Sequence, residues 1–374
     1  MPDDSPVPRG LHLCVSLADQ NVATTKSIGI YNFSTRVARE LADADGIEKL
    51  TLAANRTIAD LPPPSDRVVR LDFNGPAENR CRRVLWDQSG VYSATARTRC
   101  DWLFLPKGFA SFLRRPPAPL AAYVHDTMGE HYRRNFPGYE SRLEYEYFAR
   151  SLAATLRHAS LIFTNTEFTR SEILSLARRW RIEAPPVIVA GYGFDAPAAV
   201  PVDKENSVLL FASKVPHKKT DLALAFLEHW LQTARFDGRI NCIGIISDEM
   251  RRMASPAWNW IGRVSPETSR EMIRKARAVV YFSDYEGFGM PPVEAALEGT
   301  CPVYSAIPPI CEVMGRAGRS FSNSSSGEFA DAMNCALATR PDEIATWGRQ
   351  LLAHHNWPGV IRRIVDALQT TSPR

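Results

Sequence analysis

Short apolar runs alternate with helical patterns along almost the whole chain, and this alternation limits the fold more than any other feature. A brief β-branched run followed by 3.6-residue apolar spacing marks a βαβ unit, whose strands lie parallel and buried on both faces. In the first half, strands are predicted at 11–17, 48–53, 67–73, 101–105, 119–125, 159–164 and 186–190, with helices at about 30–43, 139–157 and 167–182. The stretch "DAPAAVPVDKEN" (195–206) then breaks all periodicity and reads as a linker. The second half restarts with strands at 207–213, 239–246, 258–264, 278–283 and 301–306. Helices fit 219–236, 266–276, 291–299, 326–338 and 341–354, and a last amphipathic segment spans 358–369. The expected class is α/β, with two doubly wound domains facing each other across a cleft.

At 374 residues the chain exceeds one ordinary core. The expected division is a first domain over 1–195, a linker over 196–206, a second domain over 207–355 and a terminal helix over 356–374. Lys and Arg outnumber Asp and Glu by only 45 to 41, too mild a balance for a nucleic-acid partner. It permits peripheral contact with an anionic membrane. Seven scattered cysteines without a CxxC pair argue against a disulfide framework or zinc site and fit a reducing cytoplasm. Cys14 and Cys242 fall inside strand-like runs and read as small core residues. No secretory or transmembrane segment is legible.

Ligands of doubly wound sheets bind at the carboxyl ends of strands, so the loops there carry the function. The most telling is "DYEGFGMPPVEAALEGTCPVYS" (284–305), which follows a buried apolar run. Gly287 and Gly289 permit positive φ and close approach of a ligand to the backbone. Pro291 and Pro292 suit a first helical turn, and a helix start attracts phosphate. Glu286 and Glu294 bracket that start.

This segment resembles the donor-sugar loop of GT-B glycosyltransferases of family 4, which use nucleotide-sugars with retention. "FASKVPHKKTD" (211–221), "WIGRVSPETSREMIRKARAVV" (260–280) and "IPPICEVMG" (307–315) follow in the family's order. In the first half "YVHD" (123–126), "IFTNTEFTRSEI" (162–173) and "GYGFD" (191–195) are similar to family counterparts. The resemblance implies two Rossmann-like domains, with the second holding the donor and the terminal helix crossing back to the first. It implies that Glu294 accepts from the ribose hydroxyls, Glu286 faces the donor sugar and Lys218 binds phosphate. Backbone N–H groups from Gly287 through Phe288 and Gly289 to Met290 and Pro291's turn would cradle the diphosphate, with Val264 also donor-lining. A position often occupied by arginine in the family is Ser213 here, leaving Lys214 to contribute charge.

From the first half, the resemblance places His125 beside the donor sugar, and Gly29 in a turn before the first helix where the backbone approaches phosphate. The implied catalytic residues are His125, Lys218 and Glu286. Departure of a nucleoside diphosphate needs a cation, and fixed lysine would serve in place of metal. The one D-x-D match, "DAD" at 43–45, sits where a helix ends, so no metal site and no cofactor are expected. "TMGEHYRRNFPGYE" (127–140) suits either a sugar or lipid-pyrophosphate acceptor surface or an ordinary exposed loop. "KGFASFLRRPP" (107–117) reads as a short helix packed on the domain, with an interfacial lipid anchor as the alternative. Thr166 is the predicted N-cap of the helix that follows it.

The expected activity is hexosyl or deoxyhexosyl transfer, since "GFGMPPVEA" with "YVHD" resembles bacterial O-antigen mannosyl- and rhamnosyltransferases. GDP-mannose or a related 6-deoxysugar nucleotide leads as donor, with UDP-glucose and UDP-N-acetylglucosamine left open, and the acceptor would be a glycan or polyprenyl-pyrophosphate-linked glycan of surface polysaccharide. The enzyme would be cytoplasmic, or peripheral on the cytoplasmic face of the inner membrane. The rivals are a GT-B epimerase or phosphorylase, and a catalytically silent nucleotide-sugar-binding or scaffold module. A nicotinamide enzyme would need G-x-G-x-x-G after a first strand, which neither 18–29 nor 213–219 supplies.

Overall fold

The computed structural model describes residues 10–21, 28–75, 78–197, 202–253 and 255–373. Contacts divide the chain into two units, Met1–Gly193 with Asn356–Arg374, and Phe194–His355. Part of the linker stretch, 198–201, lies outside the described residues.

The first unit runs β1 (Leu11–Leu17), α1 (Ile28–Asp43), β2 (Ile47–Asn55), β3 (Val68–Phe73), α2 (Arg80–Leu85), α3 (Val91–Thr95), β4 (Trp102–Leu105) and β5 (Leu120–Tyr123). It continues with α4 (Met128–Asn135), α5 (Arg142–His158), β6 (Leu161–Thr164), α6 (Glu167–Arg179) and β7 (Val187–Val189). Its seven strands pair in parallel in the order β3-β2-β1-β4-β5-β6-β7. Every residue of β4, β5 and β6 is buried, which is why these strands read as unbroken apolar runs.

The second unit comprises β8 (Ser207–Ala212), α7 (Thr220–Thr233), β9 (Arg239–Gly244), α8 (Asp248–Met253), β10 (Trp258–Gly262), α9 (Pro266–Lys275) and β11 (Ala278–Tyr281). After these come α10 (Met290–Leu297), β12 (Cys301–Ser305), α11 (Pro308–Met314), β13 (Arg319–Phe321), α12 (Ser326–Ala338) and α13 (Pro341–His354). Its strands are parallel in the order β10-β9-β8-β11-β12-β13.

The last helix, α14 (Trp357–Thr370), belongs to the first unit. Asn356 caps it, accepting from Gly359 N at 2.8 Å. Its apolar stripe buries Trp357, Ile361, Ile364, Val365 and Leu368. Trp357 packs 5.9 Å from Phe33 of α1 and 5.4 Å from Tyr192, and Arg363 Nε donates to Ala190 O at 2.8 Å.

Several elements differ from the sequence reading. The helix predicted over 139–157 is α5 and begins three residues late, because Gly138 (φ +91°) turns the chain and a reciprocal cap between Ser141 and Glu144 starts it at Arg142. The reading of 127–140 as an exposed loop is also corrected, since much of it is α4. Segment 80–95 escaped detection because its helices are short and flank a wider turn over Trp86–Gly90. Likewise α8, α11 and the three-residue β13 are too brief to carry a period.

Segment 107–117 forms no helix. Side chains hold it instead: Ser111 Oγ donates to Gln88 O at 2.8 Å, and Thr155 Oγ1 accepts from Ala110 N at 2.8 Å. Thr166 does cap α6, accepting from Thr169 N at 3.1 Å. The "DAD" stretch closes α1 and turns at Gly46 (φ +84°). Cys14 and Cys242 are buried strand residues, and all seven cysteines are free thiols. Among the described residues no helix is long and apolar enough to cross a membrane.

Candidate active site

In the second sheet β8 lies between β9 and β11, so the chain order reverses there. At such a switch point the loops leaving the two strands diverge and open a crevice at their carboxyl ends. The loop after β8 carries Lys218 and the loop after β11 carries Glu286, and the fold brings these two side chains together.

Each loop is fixed by its own polar groups. Thr220 Oγ1 donates to Ser213 O at 2.8 Å and accepts from Ser213 N at 2.9 Å, closing the loop on itself. Lys218 ends a single 3-10 turn, Pro216–Lys218, and Lys219 leaves it at φ +44°. The loops then bind each other. His217 O accepts from Asp284 N at 2.8 Å and from Ser283 Oγ at 3.2 Å, and Lys219 pairs with Asp284 at 2.8 Å. Asn323 Nδ2 bridges Ser283 O (2.9 Å) and Asp284 Oδ1 (3.1 Å), while its Oδ1 accepts from Ser305 Oγ at 2.6 Å.

Glu286 is 9% exposed and its Oε1 accepts from Lys218 Nζ at 2.5 Å and from Tyr281 OH at 2.7 Å. Lys218 also donates to the Tyr281 hydroxyl, with its ammonium 4.8 Å from that ring's centroid. Burial pushes the Glu286 carboxyl up, but the charges of Lys218 and His217 and the hydrogen bonds from Lys218 and Tyr281 outweigh it. The net direction is below the usual carboxylate range.

Glu294 is a different carboxylate. It is half-buried, and among the described residues its carboxylate makes no hydrogen bond, although its backbone carbonyl accepts from Glu298 N at 2.9 Å. Burial raises its pKa, Arg270 opposes that, and Glu298 adds to it. It is the fifth residue of α10, one residue deeper than in the helix predicted over 291–299.

Gly289 caps α10 at φ +88°, and a Cβ there would lie 2.7 Å from Ile310 Cγ1. Gly287 does not share the positive φ. The two prolines revise the phosphate picture: they occupy two of the first four helical positions, so only Met290 and Val293 have N–H groups there. The Phe288 side chain is buried, its ring 6.0 Å from Phe194 and 5.3 Å from His355, so only its backbone is left for the role expected of it. Val264 packs against a cluster containing Leu209 and Ile273. Ser213 Oγ accepts from Val215 N at 3.3 Å, and Lys214 is exposed without an ion pair among the described residues.

Two further sequence candidates sit in the first unit. Gly29 is the second residue of α1, not part of a preceding turn, and its φ is not positive. His125 follows β5, its ring 4.9 Å from Phe33 and 4.7 Å from Tyr123. Its Nε2 lies 2.8 Å from Pro106 O, and a carbonyl only accepts, so Nε2 carries the proton and Nδ1 keeps a lone pair. Burial lowers its pKa to about 4 despite that hydrogen bond.

Sequence reasoning missed Tyr281, Asn323 and a charged cluster at the first sheet's own switch point. There Lys107 binds Asp19 and lies 3.4 Å from Asp87, to which Tyr147 OH donates at 2.9 Å. Burial pushes Asp87 up to about 6 against the pull of Lys107. A tyrosine in an otherwise apolar buried strand was the one available signal for Tyr281, because its hydroxyl must find a partner.

The two sheets and their helices define a GT-B fold. Among solved structures, a sucrose-phosphate synthase from Thermosynechococcus elongatus aligns over 95% of this chain and 98% of its own, with TM-score 0.67 and 15% identity. HepE from Anabaena, solved with UDP and glucose, aligns over 96% and 100%, with TM-score 0.65 and 15% identity. TarM aligns over 72% of this chain with TM-score 0.56 and 15% identity, and the match spans 54% of TarM, about half its length. No curated protein sequence matches the chain. Residues 251–348 match the family described as "Glycosyl transferases group 1", a span that contains Glu286 and Glu294.

Proposed function

We propose that this chain is a retaining glycosyltransferase that takes its sugar from a nucleotide-sugar bound by the second unit. The observation that carries the reading is the Lys218–Tyr281–Glu286 cluster at the β8/β11 switch point, with Glu294 on the helix that follows. Each group has a task in sugar transfer. Lys218 meets the charge that develops on the departing diphosphate, which removes the need for a metal. Its role is enlarged by the two prolines, which leave the α10 terminus few donors for phosphate. Glu286, held ionised, accepts from the donor sugar's hydroxyls. Glu294, whose carboxylate has no hydrogen bond among the described residues, accepts from the ribose diol.

Glu286 does not stand free as a base for inversion, since it is already bonded to Lys218 and Tyr281, and Glu294 is assigned to the ribose. Leaving-group departure and acceptor attack therefore take place on one face, with donor phosphate helping to remove the acceptor proton. The acceptor is assigned to the first unit, as a glycan or lipid-linked glycan of bacterial surface polysaccharide, reached from the cytoplasmic side of the membrane. GDP-mannose or a related deoxyhexose nucleotide is the preferred donor, on the likeness of "GFGMPPVEA" and "YVHD" to O-antigen mannosyl- and rhamnosyltransferases.

A second reading, a silent nucleotide-sugar-binding module, is favoured by Ser213, which supplies no cation where the family often has one. A calorimetric panel of GDP- and UDP-sugars followed by anomeric NMR of the product separates the readings. An α-linked donor giving an α-linked product supports retention, and an inverted product contradicts it. Binding without turnover in the presence of acceptor glycans supports the silent module.

A further inference from the structure

Lys218 and Glu286 satisfy each other, although the ligand proposed for this site must take the lysine for itself. A buried carboxylate that loses its cation either keeps another donor or takes up a proton. Tyr281 is built to be that donor. It is the last residue of β11, opposite Tyr304 of β12, so its backbone is fixed by the sheet, and its side chain is 3% exposed. An ammonium has no acceptor, so Lys218 donates to the phenolic oxygen. The phenol's single proton is therefore given to Glu286, at 2.7 Å.

We propose that Tyr281 is a positioning residue that keeps Glu286 ionised and aimed while Lys218 moves to the donor diphosphate. The role rests on the nucleotide-sugar reading given above. In the free protein the three groups form a closed set in which Lys218 bonds both Tyr281 and Glu286. When phosphate oxygens draw Lys218 away, the Tyr281–Glu286 bond stays, and the carboxylate remains an acceptor pointed at the sugar. The phenol can do this because burial first, and the adjacent Glu286 charge second, hold its pKa well above the usual value, so it stays protonated.

The test measures proton uptake on binding, by calorimetry of GDP and UDP at pH 7 in two buffers of different ionisation enthalpy. Wild type, Tyr281→Phe and a control, Tyr304→Phe, are compared. Tyr304 is an equally buried tyrosine whose hydroxyl donates to Ala317 O at 2.9 Å, outside the cluster. Tyr281→Phe is expected to take up an extra proton when nucleotide binds, since Glu286 then has no remaining donor, while wild type and Tyr304→Phe match each other. Sugar transfer by Tyr281→Phe should fall about 10–100-fold, the effect of one lost hydrogen bond to a charged group, with nucleotide affinity nearly unchanged. Equal proton uptake by all three proteins, or transfer by Tyr281→Phe at the wild-type rate, overturns the role of Tyr281. Failure of wild type to bind either nucleotide overturns the donor-site reading itself, and this role with it.

Discussion

Replacing Lys218 by Met tests whether the ion pair holds Glu286 in its buried, ionised state. The two side chains are 23% and 12% exposed, and Met keeps most of the lysine stem while removing the charge. Breaking a buried pair from one side typically costs about 3–5 kcal/mol. Here the cost has a ceiling, because Glu286 can escape by taking a proton. At pH 7, protonating a carboxylate of ordinary pKa costs about 3.7 kcal/mol, and at pH 5 about 1 kcal/mol. The surviving bond from Tyr281 lowers the cost further, so Lys218→Met should lose about 2–3 kcal/mol at pH 7 and about 1 kcal/mol or less at pH 5.

The sign follows from the pKa direction. In wild type the Glu286 pKa is depressed, so its stabilisation is present above the unfolded value and is lost as pH falls through the folded one. In the variant the pKa is raised, so stability falls as pH rises. Both effects widen the gap with pH. Urea unfolding of the two proteins at pH 7 and pH 5 measures it, and adding Glu286→Gln to Lys218→Met should recover most of the loss. An equal loss at both pH values, or none at either, would refute the pairing.

Glu294→Ala should weaken nucleoside diphosphate binding about 10–100-fold and appear chiefly in KM, as calorimetry and steady-state kinetics would record, because its bonds are made in ground and transition states alike. Unchanged affinity would remove Glu294 from the ribose. His125 has a folded pKa of about 4, so its contribution is complete above the unfolded value of 6.5 and is lost as pH falls toward 4. That amounts to about 3 kcal/mol in urea unfolding, and His125→Gln should flatten this part of the slope. Asp87, raised to about 6, acts in the opposite sense, costing stability as pH rises toward 6, and must be subtracted with Asp87→Asn.

The long parallel elements were legible because burial on both faces leaves unbroken apolar runs, as in β5 and β11. The elements that escaped are those whose order comes from side chains distant in sequence. Ser111 and Gln88 shape 107–117 without any helical period, and α2, α3 and β13 are too short to show one. At the candidate site, Glu286 and Glu294 were legible as residue types at a spacing, and Lys218 through the family resemblance. The direct bond between Lys218 and Glu286 was not, because the two residues come from separate strand ends that only the sheet order makes neighbours. Local backbone detail was also hidden. Nothing in the sequence says that Gly289 takes positive φ and Gly287 does not, or that Phe288 turns toward Phe194.

The assigned donor site is the loop pair after β8 and β11 with the start of α10. Titrating GDP-mannose and UDP-glucose into the labelled protein and following backbone amides by NMR locates it. Saturable shifts are expected, concentrated in 213–219 and 286–294, and abolished for one donor and the other alike when Lys218→Met and Glu294→Ala are combined. Shifts centred elsewhere, or binding that survives the double variant unchanged, would contradict that assignment.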